Sequence, residues 1–94
     1  MARLDSYLKN TGLIKQRGEA KRACSQGQVQ VNGTLAKASR DVRVGEVITL
    51  ETETAFVEAE VLGIPRRPAP KAERETFYRI LRREVRDPLD DLSF

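Results

Sequence analysis

Ninety-four residues, 39% apolar and 33% charged, suffice for one small folded domain and leave no room for a second core. No apolar run approaches the ~20 residues of a bilayer-spanning helix, the opening Met-Ala-Arg-Leu-Asp lacks the apolar stretch of a secretion signal, and the one cysteine, Cys24, excludes an internal disulfide, so a cytoplasmic protein is expected. Seventeen Lys and Arg against fourteen Asp and Glu give a formal net charge of +3, and the absence of histidine removes the commonest metal ligand and the commonest general base.

Residues 3–10 place Leu4 and Leu8 at i and i+4 with Tyr7 between them, the apolar face of a short helix. Asp5 falls in the first turn, where a negative charge suits the helix dipole, and Asn10-Thr11-Gly12 is a stop signal. Leu13 and Ile14 are expected to be buried in the connection. A second helix is predicted over residues 16–26, with Ala20, Ala23 and Cys24 on one face of small side chains. That placement makes Cys24 a buried structural thiol rather than a nucleophile. Arg17 and Lys21 lie four apart on another face, with Lys15 and Arg22 nearby. Like charges at this spacing cost a helix a few tenths of a kcal/mol. The cost is tolerable on a solvated face, and expected where phosphate supplies the counter-charge.

Gly27 can adopt the left-handed conformation that ends a helix. Val29 and Val31 alternate with Gln28 and Gln30 as in a half-buried strand. Asn32-Gly33 signals a type I′ hairpin, since both central residues need φ > 0. Residues 34–35 return from the turn, residues 37–39 enter a loop, and Val42 and Val44 precede a turn at Gly45-Glu46. Residues 47–50 and 55–62 are the longest predicted strands; in the second, Ala55, Val57, Ala59 and Val61 alternate with Phe56, Glu58 and Glu60, which sends the glutamates toward water. Prolines at 65, 68 and 70 favour extended chain. Phe77, Leu81 and Val85 at i, i+4 and i+8, with Ile80 adjoining, then predict a C-terminal helix over residues 71–85, whose other faces carry Arg74, Arg79, Arg82, Arg83 and Arg86. Asp87-Pro88 ends it, and the acidic tail 89–94 is expected to fray.

Charge is segregated along the chain. Residues 1–40 hold eight Lys/Arg and two acids, a balance of +6, whereas residues 41–94 hold nine and twelve, a balance of −3. Residues 46–60 contain five acids and no base, and residues 66–86 eight bases against three acids. Such segregation predicts a cationic face for a polyanion. Five aromatics (Tyr7, Phe56, Phe77, Tyr78, Phe94) form no stacking platform. Recognition of folded RNA by shape and backbone is therefore favoured over reading of splayed bases, although composition does not separate RNA from DNA. Catalysis has little to build on. Asp90 and Asp91 sit in the tail, Gly12 and Gly18 lack phosphate-loop spacing, and no carboxylates cluster for a metal. No enzyme activity, cofactor or metal site is expected.

The succession Arg3-Leu4-Asp5-x-x-Leu8, Arg17-x-x-Ala20, Gly27-x-Val29-x-Val31-Asn32-Gly33 and Lys37-Ala38-Ser39-x-x-Val42-x-x-Gly45-Glu46-x-Ile48 resembles the alpha-L RNA-binding motif of S4-type domains, in order over residues 3–50. The resemblance implies an α+β fold: two N-terminal helices packed on a small twisted antiparallel sheet, plus the C-terminal helix. Residues 1–62 would form the S4-type domain, and residues 63–94 a proline-rich connection, helix and acidic tail belonging to the same structural unit. It implies RNA contacts at Arg3, Lys15, Arg17, Lys21, Arg22, Asn32 and Lys37, of which Arg3 and Arg17 are the strongest phosphate ligands. Two positions depart from the pattern. Gln16 stands where the family has Ser or Thr, a better N-cap, and Cys24 replaces a larger aliphatic residue.

Leu13-Ile14-Lys15-Gln16-Arg17, Ala20-Lys21, Ala36-Lys37-Ala38-Ser39 and Tyr78-Arg79-Ile80-Leu81 are similar to the small S4-domain factors of bacterial ribosome-associated quality control. Arg66-Arg67-Pro68-Ala69 resembles instead the heat-shock ribosome-binding S4 proteins. Both resemblances imply large-subunit rRNA and peptidyl-tRNA as ligands, and the first adds a neighbouring factor that appends alanine tails. They imply a monomer off the ribosome, with no membrane partner, acting on large subunits obstructed by peptidyl-tRNA; the alternative is a general rRNA-binding heat-shock or assembly factor. Two readings of other classes stand beside these. One is the accessory domain of an RNA-modifying enzyme such as a pseudouridine synthase, whose catalytic aspartate needs a larger domain than the 44 residues after position 50. The other is a protein adaptor using the acidic strand. The arginine-rich C-terminal helix would serve as a second RNA or protein contact, or as a solvated cover over the sheet.

Overall fold

The computed structural model describes residues 2–85. Helices α1 (Leu4–Asn10) and α2 (Arg17–Ser25) pack on one face of a five-stranded antiparallel sheet. Its strands are β1 (Val29–Val31), β2 (Thr34–Leu35), β3 (Val47–Glu51), β4 (Ala55–Val61) and β5 (Tyr78–Val85), in the order β2-β1-β3-β4-β5. Leu4, Tyr7 and Leu8 of α1 meet Val29, Val31, Ile48 and Val61 of the sheet in the core, all at most 1% exposed. Leu13 and Ile14 are buried in the α1–α2 connection, as expected.

The helix ends follow local chemistry. Arg3 and Gln16, the N-cap residues of α1 and α2, are extended and make no capping side-chain bond. The first donors of α1 are instead satisfied by a distant loop: Leu4 N–H donates to the Arg40 carbonyl (2.8 Å) and Asp5 N–H to that of Ala38 (3.1 Å). At the end of α2, Gly27 takes φ +72°. Its N–H reaches the Cys24 carbonyl at 3.2 Å, and Gln28 N–H reaches that of Ala23 at 2.9 Å, the paired bonds of a Schellman motif. Asn32 (φ +53°) and Gly33 (φ +81°) form the predicted type I′ turn, which sets Val31 opposite Thr34. In β4, Ala55, Val57, Ala59 and Val61 are buried, and the intervening residues are half-buried on the other face.

The predicted C-terminal helix is not formed. Residues Lys71–Thr76 make a 3₁₀ segment, and Tyr78–Val85 run antiparallel to β4, from Val61 opposite Tyr78 to Ala55 opposite Val85. As a strand, this segment pairs with the backbone groups along the edge of β4, which a helix would leave to solvent. Tyr, Ile and Val at 78, 80 and 85 suit a strand, and cross-strand pairs of opposite charge add to it: Arg79 Nη2 lies 2.6 Å from Glu60 Oε1. A β-bulge opposite Glu58/Ala59 leaves Leu81 as an extra residue, so Phe77, Leu81 and Val85 do not share a face. Arg86, the Asp87-Pro88 stop and the acidic tail lie outside the described residues.

Candidate nucleic-acid interface

The α2 face that meets the core is small: Ala20 is fully buried and Cys24 9% exposed. Burial, reinforced by the Asp5 charge, pushes the Cys24 thiol upward, which keeps it protonated and chemically quiet. Turning that face inward directs Arg17 and Lys21 to solvent.

Arg17 opens α2, Arg3 precedes α1, and one buried carboxylate joins them. Asp5 Oδ1 accepts from Arg3 Nε (3.2 Å) and from the Ser6 amide (2.8 Å), while Oδ2 accepts from Arg3 Nη2 (3.3 Å) and Arg17 Nε (3.3 Å). Asp5 has no solvent exposure, whereas the arginine side chains are 47% and 50% exposed. Burial alone would raise the Asp5 carboxyl; the hydrogen bonds from Arg3, Arg17 and Ser6, with the charge of Arg17, outweigh it and hold the group below its ordinary value. Two guanidinium groups are thus fixed at the surface on a single counter-charge, with donors left over for phosphate oxygens.

The hairpin corner is fixed by a second carboxylate. Glu46 accepts from Arg40 Nη1 (3.1 Å) and Nη2 (2.9 Å), from the Arg43 amide (2.7 Å) and from Asn32 Nδ2 (3.2 Å). The Arg40 hydrogen bonds are the main reason the Glu46 carboxyl sits below its ordinary value, against a smaller opposing effect of burial. Asn32 Oδ1 also accepts from Val47 N–H at 3.0 Å, so its amide is spent on tying the turn to β3.

The expected RNA contacts are therefore partly gathered. Arg3 and Arg17 share Asp5, Lys21 lies one turn beyond Arg17, and Lys37 adjoins the loop whose Ala38 carbonyl caps α1. Arg22 projects from another side of α2, and Lys15 lines a different cleft. Among the described residues Lys15, Lys21, Arg22 and Lys37 make no ion pair. Arg3 also borders a cleft of about 840 Å3 that holds Arg43 and Arg66. Sequence reasoning missed the joining roles of Asp5 and Glu46 and the Arg40 partner. Asp5 read as a dipole-compensating acid, and nothing local marked residues 12 and 14 positions away as partners. Among the described residues no group of His, Cys, Asp and Glu could hold a metal, and no helix is long and apolar enough to cross a membrane. What the arrangement can do is hold phosphate.

The S4 domain family model matches residues 2–48. The chain is 38% identical over 82 residues to the RQC P-site tRNA stabilizing factor of Bacillus subtilis, covering 87% of this chain and 94% of that protein. It is 35% identical over 82 residues to the same factor of Halalkalibacterium halodurans, covering 87% and 92%. Among solved structures, the trimeric heat shock protein 15 of Vibrio cholerae superposes with a TM-score of 0.79 at 29% identity, over 84% of this chain and 80% of that one.

Proposed function

Because the chain belongs to the S4 domain family, and within it to the RQC P-site tRNA stabilizing factors, we propose that it binds large ribosomal subunits carrying obstructed peptidyl-tRNA and steadies the P-site tRNA there during quality control. It is an RNA-binding protein of a family that is not an enzyme class. The observation that carries the reading is the Arg3–Asp5–Arg17 cluster: two half-exposed guanidinium groups oriented by a buried carboxylate, on the motif the family shares. In this reading Arg3 and Arg17 take phosphates of large-subunit rRNA, and Lys21, Arg22, Lys15 and Lys37 add long-range attraction. Asn32 shapes the corner and touches RNA through its backbone surroundings. The protein works in the cytoplasm as a monomer when off the ribosome, beside the factor that adds alanine tails. Residues 1–62 form its S4 unit, and the segment from 63 onward extends that unit.

Co-sedimentation tests this directly. Wild-type protein should travel with large subunits bearing peptidyl-tRNA, and a folded Arg17→Glu variant should stay in the supernatant. Equal sedimentation of both would remove the proposed face. The likeness to heat shock protein 15 favours a second reading, a general rRNA-binding heat-shock or assembly factor. Binding to empty large subunits as tight as to obstructed ones would select it.

A further inference from the structure

Arg40 is a cation of the basic residues 1–40 that has no part in the RNA face described above. Its guanidinium is already engaged. Nη1 donates to Glu46 Oε1 (3.1 Å) and to the Asp41 carbonyl (2.9 Å), and Nη2 donates to Glu46 Oε2 (2.9 Å). Both oxygens of one carboxylate are thus taken by one planar fork. We infer that Arg40 is a positioning residue: it takes no phosphate itself but sets Arg3, by tying the backbone segment that holds Arg3 to the sheet. This inference rests on the reading of Arg3 as a phosphate ligand and adds the residue that aims it.

Residues 38–42 clamp the chain on both sides of Arg3. Val42 N–H donates to the Ala2 carbonyl (2.7 Å), and Ala2 N–H donates to Asp41 Oδ1 (2.9 Å). Arg3 and Asp41 form an isolated antiparallel bridge. Leu4 N–H donates to the carbonyl of Arg40 itself, and Asp5 N–H to that of Ala38. These bonds stand in for the side-chain cap that α1 lacks. Apart from the bridge, residues 36–46 contain no helix or strand, so ties to the rest of the molecule decide where they lie. The buried Ala36 and Val42 fix the segment from below. Arg40 supplies the polar tie, and it ends on a firm anchor. The Glu46 carbonyl accepts from Val61 N–H (2.8 Å) and the Gly45 N–H donates to the Val61 carbonyl (2.8 Å), which pins Glu46 to the end of β4. The relay runs from β4 through Glu46 and Arg40 to the segment that carries Arg3.

The donor inventory separates Arg40 from the two proposed ligands. Arg17 spends only Nε on Asp5, and Arg3 spends Nε and Nη2. Each keeps outward N–H groups for a phosphate. Arg40 has both Nη atoms bonded to acceptors that are themselves held, so a phosphate would have to displace Glu46 to reach them. Glu46 is only 15% exposed, and left without its fork it would be a carboxylate short of its main partner. Breaking the fork frees residues 38–42 to shift, and Arg3 shifts with them. A binding group needs its geometry held to within about 0.5 Å.

The test is filter binding of the full chain to purified large ribosomal subunits carrying peptidyl-tRNA, over a range of salt. Folded Arg40→Ala should bind about fivefold more weakly with the salt slope of wild type, because no phosphate contact is lost. Arg3→Ala should lose affinity and about 0.9 of slope for each phosphate it neutralised. Arg40→Lys should fall nearly as far as Arg40→Ala, since an ammonium cannot span both oxygens of Glu46. Glu46→Gln, which makes the protein more positive, should also bind more weakly. In an Arg3→Ala background Arg40→Ala should cost less than about twofold more, and in a Lys21→Ala background its full effect; a merely structural loss would be equal in both. Phenylglyoxal modification of wild type, read by mass spectrometry, needs no variant to fold: Arg40 should react slowly with or without subunits, and Arg17 fast unless subunits protect it. A lowered salt slope in Arg40→Ala, tighter binding by Glu46→Gln, or subunit protection of a fast-reacting Arg40 would make it a phosphate ligand and overturn the inference. So would wild-type affinity in Arg40→Ala while Arg3→Ala loses binding, which leaves the Arg3 site standing. Wild-type affinity in Arg3→Ala would sink the reading of Arg3 and this inference together.

Discussion

Arg17 Nε sits 3.3 Å from Oδ2 of Asp5, a carboxylate with no solvent exposure whose two oxygens both accept from Arg3. The first two helices are joined at their N-terminal ends by this one acid. An acid, which by its own charge would repel RNA, thereby orients the two guanidinium groups proposed to bind it.

Removing the acid separates orientation from charge. Asp5→Ala raises the net charge by one and strands the Ser6 amide and two guanidinium groups. We expect destabilisation of about 1–3 kcal/mol by urea titration, and weaker RNA binding by the folded protein despite its higher charge. Tighter binding would show that Asp5 only neutralises.

Stability should fall in acid. Asp5 and Glu46 both sit below their ordinary values of 3.8 and 4.5 in the folded chain. Groups depressed on folding stabilise above the unfolded value, and that stabilisation is lost as pH falls through the folded value. The urea midpoint should hold from neutrality to about pH 5 and then decline, with the loss continuing below 3.8. Asp5→Asn should flatten the lower part of the profile. A midpoint that is level down to about pH 3 would contradict these ion pairs.

Arginine geometry at position 17 should matter beyond its charge. Arg17→Lys keeps the cation but offers no planar fork to share between Asp5 and a phosphate. We expect it to lose about tenfold in affinity for large subunits by filter binding, against about a hundredfold for Arg17→Glu, with a shallower salt dependence in the second. Equal affinities for Arg17→Lys and wild type would reduce the site to a point charge.

Asn32 should behave as a turn residue. At φ +53° with its amide bonded to Glu46 and Val47, Asn32→Ala should cost about 1–2 kcal/mol while leaving the RNA affinity of the folded fraction intact. Lost affinity with unchanged stability would mean that its amide faces RNA.

Much of the molecule is legible without coordinates, because the signals are local. The i, i+4 leucines of α1, the small face of α2, Gly27 as a helix stop, the Asn32-Gly33 turn and the period-two alternation of β4 each concern neighbours within a few residues. Their backbone geometry follows from steric and hydrogen-bonding rules that act at that range. The cationic character of residues 1–40 is equally plain from composition, and it points to a polyanionic ligand. Residues 71–85 show where this reach ends. Spacing at 77, 81 and 85 reads as helix, but the free edge of β4 supplies a longer ladder of backbone bonds, and only the folded sheet presents that edge. The bulge at Leu81, which sets Arg83 rather than Arg82 opposite the buried Val57, exists only in the pairing of two strands. Asp5 belongs to the same class: its partner Arg17 is 12 residues away, and their ion pair depends on how α1 and α2 pack. Short-range geometry is written in residue order, whereas pairing across the chain is a competition among partners that only the assembled core resolves.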